Sequence, residues 1–506
     1  LAKEQDNSRP ARLILYCLVT TLVLEGVLRK LVPASSHAIT VVLFFLKDVW
    51  VCAMGFYVFR RGFSIVSPEL TQKFQWLIIC FSILIFYTAT KSVLLAVFGG
   101  KQYLLFPVVA FGTILAFEKS DARTYFKFLK FMGLLIIVTA VMAVIQSQLP
   151  MTHLLNKGVG GSDLTGFSAG GKLRLSSTFS FVAQYGMFLN ASTFLVGMLF
   201  FIRQRQGMVI NRIFLWSLFP ALLVGTFLTG SRGAVMGNAA IIAGGGAFIA
   251  WKGNAKTRSR FLSAVAAIIV LTVVVETFFP DVFVVYKARS SGSEEVSHQR
   301  EMGERVFSAL TGWTGGLEGA PPTFLGYGLG TMSNGAEQLS SYAAAWRMRL
   351  WGETDMANNL FEGGWLLIFS WMLFRAWVVV FAIRAALMIK DPLLFGAASF
   401  ALGHAMLQGV IAQMGIHPPV AIWFWLSVGL VISLRNLERR EINPLLSLTM
   451  SRLPPPEAIK TQLAPPRASR PTILGPPIPK AYELMNQKEK KVLRRKPRDP
   501  FGEDGR

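Results

Sequence analysis

Arginines and carboxylates supply most of the chemistry that this sequence can do. Arg174 heads "RLSSTFSF", just before an apolar run, and Arg232 sits in "LTGSRGAV", between two apolar runs. A guanidinium matches phosphate oxygens two at a time, and Ser, Thr and Gly beside both arginines leave room for an anion. Arginine at the mouth of a helix bundle is costly unless it is paired or faces water. Snorkelling to headgroups accounts for either residue alone; the two together on one side favour an anion site. Arg300 and Arg305 lie five apart in "SEEVSHQREMGERVFSAL", and "WRMRLWGETDMANNLFEGG" gathers Arg347, Arg349, Glu353, Asp355, Asn358 and Glu362. A carboxylate among arginines can act as a general base beside a phosphate clamp, although mixed charges at a span entrance also read as a polar cap. "GYGLGTMSNG" (326–335), with Gly328 and Gly330, reads on spacing alone as a plain turn.

A different phosphate signal fails on inspection. Gly166, Gly171 and Lys172 in "GFSAGGKL" match the opening of a P-loop, but Leu173 stands where Ser or Thr must hold Mg²⁺. No strand pattern precedes the motif, so it reads as a glycine loop between spans.

The elements that must position these residues are membrane helices. The chain has 506 residues, 53% of them hydrophobic and 16% charged, with a mean hydropathy of +0.47; a soluble protein carries about 25% charged residues. Apolar blocks near the hydrocarbon thickness recur along the chain, continuous rather than alternating, which selects helices over a barrel. The expected fold is an all-α polytopic membrane protein of about twelve spans, near 13–32, 38–59, 74–98, 102–118, 131–149, 177–202, 213–230, 234–251, 261–279, 359–383, 394–413 and 418–435. The first block is too long for the apolar part of a signal peptide and reads as a span. Cys17, Cys52 and Cys80 all fall inside apolar blocks, with neither disulfide nor metal spacing.

The net charge of +23 would point to nucleic acid on a soluble protein. Here the positives cluster in alternate loops, as at Arg60–Arg61, Lys119–Lys130 and Lys252–Arg260. That arrangement places both termini in the cytoplasm and excludes a nucleic-acid role. Residues 1–12 form the cytoplasmic N-terminus, and 13–280 hold spans one to nine with an extracytoplasmic loop at 150–176. A large extracytoplasmic loop, 281–358, precedes the tenth span, and 359–435 hold the last three. The large loop includes a segment near 294–310 with helical apolar spacing, suited to the bilayer surface. The Pro-rich, basic tail, 436–506, reads as disordered; its end suits anionic lipid or is simply solvated.

Four stretches carry a resemblance to a known family. "LEGVLRKLVP" looks like the first span of its members, and "KLRLSSTFSF" resembles their R-x-S-G-T-F region with Ser177 in place of Gly. "LTGSRGAV" is similar to their T-x-S-R-G, and "FLGYGLGT" followed by "NNLFEGGWLLIF" to the glycine and N-x-x-L-x-E-x-G pair around a large loop. The chain thus resembles the O-antigen ligase and polymerase superfamily over most of residues 13–435. The resemblance implies transfer of a glycan from polyprenyl pyrophosphate to an acceptor hydroxyl at the outer face of a bacterial inner membrane, with no metal and no cofactor. Its partners are the lipid-linked oligosaccharide, an acceptor glycan or lipid, membrane lipids and other polysaccharide-assembly proteins. Arg174, Arg232, Arg300, Arg305 and Arg349 are then candidates for the pyrophosphate, and Gly328, Gly330, Asn358 and Glu362 for the substrate loop. Ligases of the family have a His-Asn pair where this chain has Ala357-Asn358. That leaves Glu353, Asp355 and His298 as candidate bases, Glu353 being favoured. His417 reads as a capping residue and His404 as a buried polar contact. A secondary transporter or lipid flippase, and a non-catalytic scaffold of a polysaccharide export complex, are the alternatives.

Overall fold

Short polar residues between apolar runs start most of the long helices. The computed structural model describes residues 8–33, 35–205, 212–290, 320–333, 335–348 and 354–442. Caps are provided by Ser92 to Leu95 N, Asp121 to Thr124 N, Ser231 to Ala234 N, Asn254 to Thr257 N, Thr354 to Ala357 N and Asp391 to Leu394 N. Each occupies one of the amide groups that the first turn leaves without a partner.

The long helices are α1 (Ser8–Leu31), α2 (His37–Arg61), α4 (Pro68–Ala89), α7 (Ala122–Gln148), α8 (Val182–Arg205), α10 (Arg232–Lys252) and α11 (Ala255–Phe278), with the one-turn α3 (Phe63–Val66) after α2. Between α4 and α7 come α5 (Val93–Leu104) and α6 (Val108–Ala116); between α8 and α10 comes α9 (Arg212–Leu228). The short α12 (Val284–Ser290), α13 (Ala336–Leu339) and α14 (Ser341–Arg347) precede α15 (Asp355–Leu387), α16 (Pro392–Ile411) and α17 (Pro418–Ile442). The 154–167 stretch holds three 3₁₀ turns, followed by a hairpin of β1 (Ser168–Ala169) and β2 (Lys172–Leu173).

The chain is a polytopic, all-helical membrane protein. Among the described residues ten helices are long and apolar enough to cross a membrane, or eleven if the pair α5 and α6, bent by 44°, is one span. Several expected spans therefore differ. The fourth is that bent pair, and it begins earlier than expected because Ser92 caps α5. The seventh is α9, whose 17 residues reach about 26 Å, short of the hydrocarbon thickness of about 30 Å. The third span ends at Ala89 rather than 98, where Ser92 and Lys91 donate to Thr88 O in a turn.

The tenth expected span differs most. α15 starts at Asp355 and is broken at Gly364, whose φ of 61° and ψ of −155° belong to a region open almost only to glycine. Residues 323–328 of the large loop fill the break. Tyr327 N and Gly328 N donate to Phe361 O and Glu362 O (2.7 and 2.9 Å), while Trp365 N and Leu366 N donate to Thr323 O and Phe324 O (3.2 and 3.1 Å). A Cβ on Gly364 would collide with both of those carbonyls and stand 2.6 Å from Gly326 N.

Helices α8 and α17 are the interior of the bundle, each with 89% of its most apolar window buried, whereas α11 has 6% buried. Several intramembrane charges are paired. Glu25 meets Arg29 at 3.1 Å, as their spacing predicts, and Lys47 at 3.3 Å, and Lys101 meets Asp48 at 2.7 Å. His404 Nδ1 lies 3.2 Å from Ser427 Oγ, joining α16 to α17. The chain divides into two units after Pro444; the expected tail beyond 442, the surface segment near 294–310, His298, Arg300, Arg305, Arg349 and Glu353 lie outside the described residues.

Gly364→Ala is expected to lower the thermal midpoint in detergent and the yield from membranes, since strain at such a backbone costs about 1–3 kcal/mol before the collision is counted. Gly244→Ala, whose Cβ would meet nothing closer than Gly403 Cα at 3.6 Å, is the control and should leave the midpoint unchanged or raised.

Candidate anion-binding site

The hairpin decides where Arg174 goes. Gly170 and Gly171 have φ of 59° and 72° and form the two-residue turn between Ala169 and Lys172, which pair across it. This is a mirror-image hairpin turn, not a phosphate cradle. Lys172 confirms the difference, because its Nζ pairs with Asp281 Oδ1 at 2.9 Å. The chain leaves β2 directly into Arg174, whose Nε donates to Thr229 O at 3.2 Å, and Leu175 N donates to Leu228 O at 3.2 Å. Arg174 is thereby set against the turn between α9 and α10.

That turn is the sequence "TGSR". Gly230 takes φ 56°; a Cβ there would run into Val285 of α12 and touch Arg174 Cγ at 3.4 Å. Gly230 O accepts from Arg289 Nη1 at 2.7 Å. Arg232 follows at the first residue of α10, after the capping Ser231. Arg174, Arg232 and Arg289 are all half-buried. Arg174 makes its one described hydrogen bond through Nε, leaving both terminal nitrogens without an acceptor among the described residues, and no carboxylate pairs with it. Burial, and then the charges of Arg289 and Arg232, lower its pKa to about 10. Three guanidiniums are gathered here beside the N-terminus of α10, whose dipole adds to the positive potential at Arg174.

The segment after Arg174 is held rigidly. Thr178 bridges one helical step of α1: its hydroxyl donates to Val23 O (2.5 Å) and its carbonyl accepts from Val27 N (2.6 Å). Ser177, where the family pattern has Gly, has a φ of 52° and is the one non-glycine residue with positive φ among the described residues. It is held there by Gln146 Oε1, which accepts from Ser177 N at 2.8 Å, and by its own hydroxyl donating to Thr139 O at 2.6 Å. Lys30, 3% exposed, donates to Ser176 Oγ at 2.7 Å and Leu155 O at 3.2 Å. It has no carboxylate partner among the described residues, and so it adds a buried cation behind the arginines.

The carboxylates form a separate buried network around the break in α15. Asp355 is ion-paired with Arg375, and Arg375 Nη2 also donates to Gln408 O and Ala412 O, each at 3.1 Å. Asn359 Nδ2 donates to Asp355 at 3.3 Å. Glu362, fully buried, accepts from Tyr103 OH at 2.7 Å and from Met332 N at 2.8 Å. These contacts give Asp355 and Glu362 positioning tasks. One pins α15 to the end of α16, and the other holds the glycine turn. Gly328 and Gly330 belong to that turn, with Leu329 N donating to Thr88 Oγ1 at 2.9 Å. Asn358 Nδ2 donates to Thr354 O at 2.8 Å. Ala357 lies among apolar side chains with Phe361 and Met332.

Two charged members of these groups carry weaker marks in the sequence. Arg375 interrupts "WMLFRAWVVV", and an arginine inside an apolar run demands an acid partner. Arg289 in "KARSSGS" repeats the arginine-beside-serine pattern of Arg174 and Arg232, but no long apolar run abuts it. No protein-family model matches the chain, and no curated protein matches it.

Asp355→Asn is expected to destabilise the chain markedly, because a buried arginine stripped of its acid costs about 3–5 kcal/mol. Adding Arg375→Met should recover most of the loss in a thermal melt. A double variant as unstable as the single one would show that the pair does not act as a unit.

Proposed function

We propose that this protein transfers a glycan from a polyprenyl pyrophosphate carrier to an acceptor hydroxyl at the outer face of a bacterial inner membrane. The reading places it with the O-antigen ligases and polymerases that its sequence resembles. One observation carries it: Arg174, Arg232 and Arg289 converge on the Thr229–Gly230 turn, and Arg174 has two terminal nitrogens with no described acceptor. Arg174 feels the like charges of Arg289 and Arg232, and an anion held at its terminal nitrogens would offset that repulsion. Pyrophosphate is such an anion and suits the planar guanidinium fork.

In the reaction the acceptor oxygen forms a bond to the anomeric carbon while the bond from that carbon to the pyrophosphate oxygen breaks. The leaving group departs with the electron pair, and the arginines stabilise its charge. The acceptor proton goes to a base. Asp355 is committed to Arg375, so Glu353 and His298 are the candidates for that step. Arg300, Arg305 and Arg349 are further candidate contacts to the carrier.

A transporter is the second reading, because a broken α15 beside the buried Glu362 is a feature of many carriers. In carriers the ends of the broken helix face a substrate cavity. Here loop 323–328 occupies the backbone groups at the break, which favours transfer over transport.

The test uses purified protein in lipid vesicles, a polyprenyl-pyrophosphate-linked oligosaccharide and acceptor. Arg174→Ala, Arg232→Ala and Arg289→Ala should each lower transfer by about 10²–10³-fold, the cost of removing a charge-stabilising donor, with unchanged thermal midpoints. Arg174→Lys should restore only part of the rate, having lost the fork. Wild-type transfer rates in all three alanine variants would overturn the proposal.

A further inference from the structure

The bundle contains a second polar centre. A partly open cavity of about 40 Å³ lies between α1, α2, α5, residues 179–184 and the turn that precedes α17. Glu25, Lys47, Gln102, Gln184 and His417 give it polar walls, and Phe44, Phe179 and Pro418 give it ring faces. Glu25 is held in place through one oxygen by Arg29 and through the other by Lys47, and a carboxylate so held keeps lone pairs for further donors. Gln102 is 3% exposed, and its Oε1 is buried with no hydrogen-bond partner among the described residues. An amide oxygen left in that state forfeits the hydrogen bonds water would give it. Gln184 Oε1 accepts from Ser180 Oγ at 2.6 Å, while its amide nitrogen has no acceptor among the described residues. The site thus lacks a partner that donates to one amide and accepts from another.

We propose that this cavity is a saccharide subsite that receives the hydroxyl-bearing edge of the acceptor glycan. Planar amide and carboxylate groups set among aromatic rings are the chemistry that recognises a hydroxylated ring, since hydroxyls both donate and accept while the ring's C–H face packs on an aromatic. The volume is that of about three waters, which fits one edge of a sugar ring and not a whole one. The acceptor assignment rests on the transfer reading above. Its position supports it: Phe179 follows Arg174 by five residues, so their Cα atoms lie within about 18 Å, the reach of a short oligosaccharide. Thr178, between the two, is locked to α1, so Arg174 and Phe179 flank one anchored residue.

The experiment has two arms, both using the full chain in nanodiscs. In the first, saturation-transfer NMR is run with the methyl glycosides of glucose, galactose, mannose and N-acetylglucosamine. At least one should receive saturation from the wild type, and the signal should be lost in both Gln102→Leu and Gln184→Leu. The variants lie on different elements, so a folding failure in one leaves the other decisive. In the second, each variant should raise the KM for acceptor about tenfold, the effect of losing one to two hydrogen bonds, with the KM for lipid-linked donor unchanged. Transfer activity in a wild type that contacts no glycoside, or variants that bind and transfer like the wild type, would overturn the subsite. Glycoside binding that depends on Gln102 in a chain without transfer activity would support a saccharide site and overturn the transfer reading instead.

Discussion

Lipid offers no hydrogen bonds to a polypeptide backbone, and the break in α15 is where this chain must answer that constraint most directly. Opening a helix frees carbonyls on one side and amides on the other, each costly in hydrocarbon. The chain answers with its own large loop. Residues 323–328 enter the break, and their amides and carbonyls take up what the helix released. Because this exchange requires backbone-to-backbone contact, Gly326 and Gly364 have to lack side chains. The glycine turn, its bond to Thr88 and the placement of Glu362 beneath it all depend on that insertion.

Charge inside the bundle follows a second rule. Asp355 with Arg375, Asp48 with Lys101 and Glu25 with Lys47 are each ion-paired. Arg174 is different, because no acid among the described residues pairs with it and the neighbouring positive charges make its own charge harder to hold. Lys30 behind it likewise has no acid partner among the described residues. Arg174 sits where the hairpin, the α9–α10 turn and α12 meet, the position from which the anion-binding proposal starts.

The sequence was informative where the reason for an element is local. Capping residues such as Asp121, Asn254 and Asp391 mark helix starts through bonds to amides two or three residues away. Glu25 and Arg29 lie on one helix face because of their spacing, and they pair. The span count was less legible. A bent pair at α5 and α6 and the 17-residue α9 are set by packing against neighbours, which hydropathy does not record. Of the candidate site, Arg174 and Arg232 could be picked out because each stands at the edge of an apolar run. Arg289 could not, because its role comes from contact with Gly230, 59 residues earlier.

By itself the sequence determined that this is a helical membrane protein, roughly where its apolar runs lie, and that small residues flank two arginines at the edges of those runs. Those properties follow from hydropathy, length and residue type, which act along the chain. Only the tertiary structure decided that the P-loop mimic is a hairpin turn, that Asp355 is bound to Arg375 and that three arginines share one turn. It alone placed Gln102, Gln184 and His417 around one cavity. These are long-range facts. They depend on which backbone can approach which, and on partners for buried charges separated by tens or hundreds of residues, and no local pattern of residues encodes either.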